Sequence, residues 1–256
     1  MANTFDGRVA LVTGGNSGIG RATALAFARA GAKVVIAARR ITEGEETVQM
    51  INAAGGTGCF VPTDVSQADQ VVTMVQKTIA VYGRLDVAFN NAGMGSRAPL
   101  VDLTEEDFDR VISVNLKGVW LCMKYEIPQM LVQGGGAIVN MSSGYGLFGS
   151  PRGNSAYIAS KHGVIGLTKA AALEHAKQGI RVNTVVPGWI LTPMVEAGIG
   201  ANPQLEARIL DHEPVGRMGT SEEVAEAVVW LCSDAASFVT GHSMIIDGGL
   251  TSWVGT

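Results

Sequence analysis

Seven short apolar runs, most of them rich in β-branched residues, alternate with longer stretches of helical character, and this alternation leaves few folds open. The runs are Val9–Val12, Lys33–Ala37, Cys59–Val61, Leu85–Phe89, Ala137–Asn140, Val182–Val186 and Met244–Ile246. A strand that is apolar throughout, rather than at every second residue, is buried on both faces, as in a parallel sheet covered by helices. The intervening stretches carry helix signals. Arg21 to Ala30 is Ala-rich and stops at Gly31, and Thr104–Asp107 and Thr220–Glu223 have the form of capping boxes. The pattern predicts an α/β fold, a doubly wound parallel sheet of about seven strands with helices on both faces. No linker, repeat or low-complexity segment divides the chain, so residues 1–256 are read as one domain. Trp189 to Pro214 shows no strand pattern and is expected to be a mobile, substrate-binding insertion.

Composition narrows the function. Apolar residues make up 47% and charged residues 16%, which favours a packed globule over disorder. The net charge of −4, without a basic run, argues against a nucleic-acid partner. Cys59, Cys122 and Cys232 lie in apolar surroundings without metal-ligand spacing, so they read as free thiols in a reducing compartment, and no metal is expected. Met1–Arg8 lacks the apolar stretch of a signal peptide, and no window has the ~18 uninterrupted apolar residues of a membrane span. A cytoplasmic location is expected.

The first run leads into Thr13-Gly14-Gly15-Asn16-Ser17-Gly18-Ile19-Gly20, which opens a helical pattern. Glycines allow a tight turn and close approach to a pyrophosphate, and a helix start offers free N–H groups and a positive dipole end. The spacing is not G-x-G-x-x-G, but the strand–loop–helix setting points to a dinucleotide. The second run ends in Ala37-Ala38-Arg39-Arg40, without the carboxylate that would bind a ribose 2′-hydroxyl. Arg39 and Arg40 would instead attract a 2′-phosphate.

Tyr157 and Lys161 stand at i and i+4 in a helical run and share a face. A phenol of pKa ~10 is a poor base at neutral pH; a nearby ammonium favours its ionised form, and a shift of about three units needs roughly 4 kcal/mol. Other polar motifs fall at or near the carboxyl ends of successive strands: Asn90-Asn91-Ala92-Gly93, Ser142-Ser143-Gly144, and Pro187-Gly188 with Thr192-Pro193 beyond. Ligands of doubly wound sheets bind at those ends. Asn115 interrupts an apolar helical pattern, where an amide is not favoured.

Taken in order, Thr13-Gly14-x3-Gly18-x-Gly20, Asp64, Asn90-Asn91-Ala92-Gly93, Asn115, Ser143, Tyr157-x3-Lys161, Pro187-Gly188 and Asp247-Gly248-Gly249 resemble the short-chain dehydrogenase/reductase family over essentially the whole chain. The resemblance implies a Rossmann-type domain that exchanges hydride between a nicotinamide cofactor and a ketone or secondary alcohol. It implies Tyr157 as general acid or base and Ser143 on the substrate oxygen. Lys161 would hold the nicotinamide ribose and lower the Tyr157 pKa, and Asn115 would sustain a water relay. The cofactor would be bound by Gly14, Asn16, Ser17, Gly18, Ile19 and Gly20, by Arg39 and Arg40, and by Asp64 and Val65 beside the adenine. Asn91, Ala92, Gly93, Tyr157, Lys161, Pro187, Gly188, Ile190 and Thr192 would complete its site.

Ser143 and Tyr157 are fourteen residues apart, one more than the family spacing, which places an extra residue in Gly149–Asn154 and leaves Ser142 as the competitor of Ser143. Gly146, three residues after Ser143, favours Ser143. Asn16 stands where NADP-preferring members often carry a basic residue, and Ala38 where NAD-preferring members carry an acid; together with the arginines this favours NADP(H), with NAD(H) as the other possibility. Met94, Tyr145, Phe148, Trp189, Met194 and Trp253 are pocket candidates, with Arg97 and Arg152 near its mouth, and suit a small apolar ketone or alcohol. The alternatives are an epimerase or lyase that retains its nicotinamide, and a catalytically idle dinucleotide-binding regulator. Val111–Leu131 and Ala156–Ala172 are apolar on more than one side, which predicts a homotetramer or, failing that, a dimer.

Overall fold

The computed structural model describes residues 4–95, 97–151, 153–202 and 204–252. Seven strands form one sheet: β1 (Val9–Thr13), β2 (Lys33–Ala38), β3 (Thr57–Pro62), β4 (Val87–Asn90), β5 (Gly136–Met141), β6 (Ile180–Pro187) and β7 (Ser243–Ile246). Their order is β3-β2-β1-β4-β5-β6-β7, and every pairing is parallel. The chain winds outward from β1 to β3, then returns to β4 beside β1. That reversal opens a crevice above the carboxyl ends of β1 and β4.

The helices are α1 (Gly18–Arg29), α2 (Ile41–Ala53), α3 (Ala68–Tyr82), α4 (Glu105–Ile112), α5 (Gly118–Val132), α6 (Ser155–His175), α7 (Pro193–Ala201), α8 (Gln204–His212) and α9 (Ser221–Cys232). The strand pleat assigns them to faces. Val9 and Leu11 pack with residues of α3, α5 and α6, while Ala10 and Val12 pack with residues of α1, α2 and α9. All five residues of β1 are buried, as an apolar run covered on both faces requires.

Four expectations change in detail. β4 starts at Val87 rather than Leu85, because the Asp86 carboxylate accepts from the Val9 amide at 2.8 Å and pairs with Arg84. The Trp189–Pro214 stretch is largely helical, holding α7, which buries none of its residues, and α8, which buries Leu205 and Ile209. At Thr220 the capping box is complete, but at Thr104 only half of it forms. Thr104 Oγ1 accepts from the Asp107 amide, while the Asp107 carboxylate turns to Arg110. Finally, most of the apolar surplus of α5 and α6 is taken up inside the chain, since Val119, Leu121, Met123, Val164 and Ile165 are buried. What remains outside is Trp120 (42% exposed), Val132 (84%) and Leu173 (81%), with Leu100, Val101 and Phe108 nearby in the chain. Among the described residues no helix is long and apolar enough to cross a membrane.

Candidate active site

The glycine loop turns off β1 with its Gly14 amide bonded to the Ala37 carbonyl at 2.7 Å. Gly14 and Gly18 have φ of +65° and +50°, and a Cβ on Gly20 would collide with the Gly14 carbonyl. Ser17 stands at the start of α1 without capping it, and the first turn holds no acid, so the helix start keeps donors for an anion. The Ser17 hydroxyl instead accepts from Arg40 at 3.2 Å. These features fit a pyrophosphate.

Thr13 and Asn91 lock this loop to the end of β4. Thr13 Oγ1 accepts from the amides of Asn91 (3.0 Å) and Ala92 (3.1 Å), and Asn91 Nδ2 donates to the carbonyls of Thr13 and Gly14. Asn91 therefore braces the loop through its own side chain. In the sequence Thr13 is only the loop's first residue, and nothing there marks its hydroxyl as a bridge. Asp64 turns its carboxylate to the Ser66 amide and hydroxyl, beside buried Val65. Beyond β6, Gly188 donates to Ile246, Ile190 is buried, and Thr192 caps α7 with its methyl 3.4 Å from where a Gly18 Cβ would stand. The segment after β6 thus meets the glycine loop.

Arg39 and Arg40 part company. Arg40 pairs with Glu43 at 3.0 Å and, with the Asn16 amide oriented to receive it, donates to Asn16 Oδ1 at 2.8 and 3.0 Å. Arg39 is exposed at the end of β2, beside Ala38, and enters none of these contacts.

The Ser142–Ser143 ambiguity has a geometric answer. Ser142 is buried and its hydroxyl donates to the Lys161 carbonyl at 2.9 Å, whereas the Ser143 hydroxyl is hydrogen-bonded to Tyr157. Lys161 is buried, donates to the Met141 carbonyl at 2.9 Å, and places its Nζ over the Tyr157 ring, 5.5 Å from the centroid. Burial lowers the Lys161 pKa to about 8. It also raises that of Tyr157 above the ordinary phenol value, against the opposing pull of the Ser143 hydrogen bond. The lowering of the Tyr157 pKa implied by the resemblance is thus not seen in the chain by itself, where burial dominates.

Asn115 falls in a π-helical turn, Ser113–Lys117, between α4 and α5. The widened turn projects a buried amide out of the helix ladder, a feature frequent at functional sites. Its Oδ1 accepts from the Met94 amide at 2.8 Å, and its Nδ2 donates to the Met94 carbonyl at 2.9 Å and to Ser160 Oγ at 3.3 Å. Ser160 in turn donates to the Tyr157 carbonyl at 2.7 Å. The sequence reading missed Ser160, which links Asn115 to the helix carrying Tyr157 and Lys161.

Tyr145 meets the Tyr157 ring edge-on at 6.2 Å and the Phe148 ring at 5.4 Å, forming an aromatic wall beside the hydroxyl. The longer connection to Tyr157 is pinned where the Ala98 amide donates to the Gly153 carbonyl at 2.8 Å. Arg152 and Trp253 lie outside the described residues.

Known proteins share this fold and much of this sequence. A family model described as Enoyl-(Acyl carrier protein) reductase matches residues 14–251. The chain is 44% identical to a cyclohexanol dehydrogenase of Acinetobacter sp. over 253 residues, covering 98% of both proteins. It is 42% identical to a 2,5-dichloro-2,5-cyclohexadiene-1,4-diol dehydrogenase of Sphingobium indicum over 250 residues, covering 97% of this chain and 98% of the relative. A solved structure from Beutenbergia cavernae, described as an NAD(P) dependent gluconate 5-dehydrogenase with NADP bound at low occupancy, superposes with a TM-score of 0.93 at 36% identity. It covers 99% of this chain and all of that one.

Proposed function

The chain belongs to the short-chain dehydrogenase/reductase family, an NAD(P)-dependent oxidoreductase of CH–OH or C=O groups, and on that premise we propose that it interconverts an alicyclic ketone and its secondary alcohol with NADPH as the favoured cofactor. The observation that carries the reading is the Ser143–Tyr157–Lys161 cluster at the carboxyl end of β5, walled by Tyr145 and Phe148. When bound, the nicotinamide supplies or accepts the hydride. Tyr157 delivers the proton to the carbonyl oxygen in reduction and takes it back in oxidation, and Ser143 orients that oxygen. Lys161 holds the nicotinamide ribose, and Asn115 keeps open a water relay from Lys161 to solvent. The ring-shaped substrates in the names of two relatives and the apolar wall support a six-membered carbocycle. A panel of cyclic and linear ketones and alcohols, followed by cofactor absorbance, tests this. Turnover of linear substrates alone would overturn the alicyclic reading, and conversion without net cofactor oxidation would favour an epimerase or lyase.

Arg39 supports the choice of NADPH: it is exposed beside Ala38, while Arg40 is held by Glu43 and Asn16. Arg39 is therefore the guanidinium available for a charge-assisted contact with a 2′-phosphate. kcat/KM should be higher with NADPH than with NADH, and Arg39→Ala should erase the difference while changing NADH use little. A native preference for NADH of about tenfold, or ~1.4 kcal/mol, would contradict it.

The exposed Trp120, Val132 and Leu173 support assembly into a homotetramer, or failing that a dimer. α6 carries both Leu173 and the Tyr157–Lys161 pair, so dissociation should lower activity. Light scattering after gel filtration should find an oligomer; a fully active monomer at low micromolar concentration would disprove this.

A further inference from the structure

The segment Gly188–Thr192 is where the proposed reading places the cofactor contacts Ile190 and Thr192 and the pocket residue Trp189. Its backbone is tied down at each step. Gly188 donates to the Ile246 carbonyl at 3.0 Å, the Trp189 carbonyl accepts from Gly219 at 2.9 Å, and Leu191 donates to the Gly219 carbonyl at 2.9 Å. The Trp189 amide differs: it donates to a side chain, Glu213 Oε1, at 3.4 Å. Glu213 directly follows α8, at the far end of the two-helix stretch that Trp189 begins. One carboxyl thus ties the exit of that stretch to its return.

The setting of Glu213 is costly. It is 5% exposed, and no ion pair to it occurs among the described residues. Arg217, four residues on, is committed to Glu223 at 2.7 Å. Asp247, the acid that faces it, accepts with its own carboxylate from the amides of Gly249 and Thr251. Burial and Asp247 push the Glu213 carboxyl above the ordinary range, while the Trp189 amide pulls it down. Gly248, at φ +61°, makes room for this acid: a Cβ there would stand 3.3 Å from Glu213 Oε2 and 2.6 Å from Val215 Cγ2. An acid buried against a like charge is a poor choice for stability alone, and such local conflicts gather where function needs them.

We propose that Glu213 is a positioning residue: by holding the Trp189 amide it sets the Trp189–Thr192 segment against the glycine loop and the substrate. It acts through the backbone and touches no reacting atom. The inference rests on the reading of that segment as a wall of the cofactor and substrate site.

Hydrogen–deuterium exchange of the cofactor-free protein, paired with steady-state kinetics, tests it. Glu213→Ala should speed exchange of the Trp189 amide at least tenfold while β6 keeps its protection. It should raise KM for ketone and cofactor about tenfold, the size of one lost hydrogen bond to a charged group, and leave kcat nearly unchanged. Glu213→Gln keeps an acceptor and should restore both. If the alanine variant does not fold, Glu213→Asp withdraws the carboxyl by one methylene and serves the same comparison. Unchanged exchange overturns the anchor. Faster exchange with native KM values overturns the segment's place in the site, which separates failure of the anchor from failure of the reading beneath it.

Discussion

Tyr157→Phe is expected to lower turnover at least a hundredfold, within the roughly 10²–10⁴-fold range of general acid–base catalysis, while cofactor affinity survives. The substitution removes one hydroxyl and keeps the ring, so the edge-on contact with Tyr145 and the position beneath the Lys161 Nζ persist. What goes is the proton and the hydrogen bond to Ser143. Burial raises the pKa of the native phenol, and in reduction the lost group would be the proposed proton donor itself. A loss confined to kcat, with KM for the cofactor near native, would match a group acting on the reacting oxygen alone. A Tyr157→Phe variant that kept most of its turnover would remove Tyr157 from the chemistry and leave the Ser143–Lys161 geometry without a reaction to serve.

The strands were the most legible part of this chain, because residues such as Val34, Val35 and Ile36 must satisfy helices on both faces of the sheet and so leave no polar alternate position. The candidate site was legible where a residue type has few other uses, as with Gly14, Gly18 and Gly20 around the start of α1 and the Tyr157–Lys161 spacing. Legibility failed where a neighbour distant in sequence decides the outcome. The π-helical turn at Asn115 depends on Met94 and Ser160, which lie 21 and 45 residues away. The choice between Ser142 and Ser143 rested on which hydroxyl the Lys161 carbonyl claims. The direction of the Tyr157 shift depended on burial, which a spacing of four residues does not disclose. Isolated acids were the hardest to read: Glu213 follows a polar helix and Glu126 lies in an apolar one, yet both are buried.

Glu126→Gln should stabilise the protein at alkaline pH by about 3 kcal/mol and flatten its dependence on pH. Glu126 lies on α5 with no exposed surface, and its Oε2 accepts from Asn90 Nδ2 at 3.0 Å. The same Asn90 nitrogen donates to Asn140 Oδ1 at 3.1 Å, and Asn140 donates to Thr168 at 2.9 Å. Among the described residues neither Glu126 Oε1 nor Asn90 Oδ1 finds a partner, and no cation joins the chain of contacts. Cys122, one turn earlier on α5, has its own thiol pushed well up by burial and by Glu126. Burial accordingly raises the Glu126 carboxyl to about 7. The folded state then holds a proton that the unfolded chain releases near pH 4.5. Stability is greatest below that value, falls as pH rises, and levels off above about 7, where an unpaired buried charge is carried in full. Glutamine keeps the acceptor for Asn90, never ionises, and brings a donor to a site with an unpartnered carbonyl oxygen. The difference in unfolding free energy between the two proteins should therefore widen from roughly 1 kcal/mol near pH 5 to about 3 kcal/mol at pH 8. Denaturant titrations at the two pH values would measure it. Parallel pH profiles for native and variant would mean that the Glu126 charge is compensated in solution, and that the buried acid is not the neutral group its surroundings require.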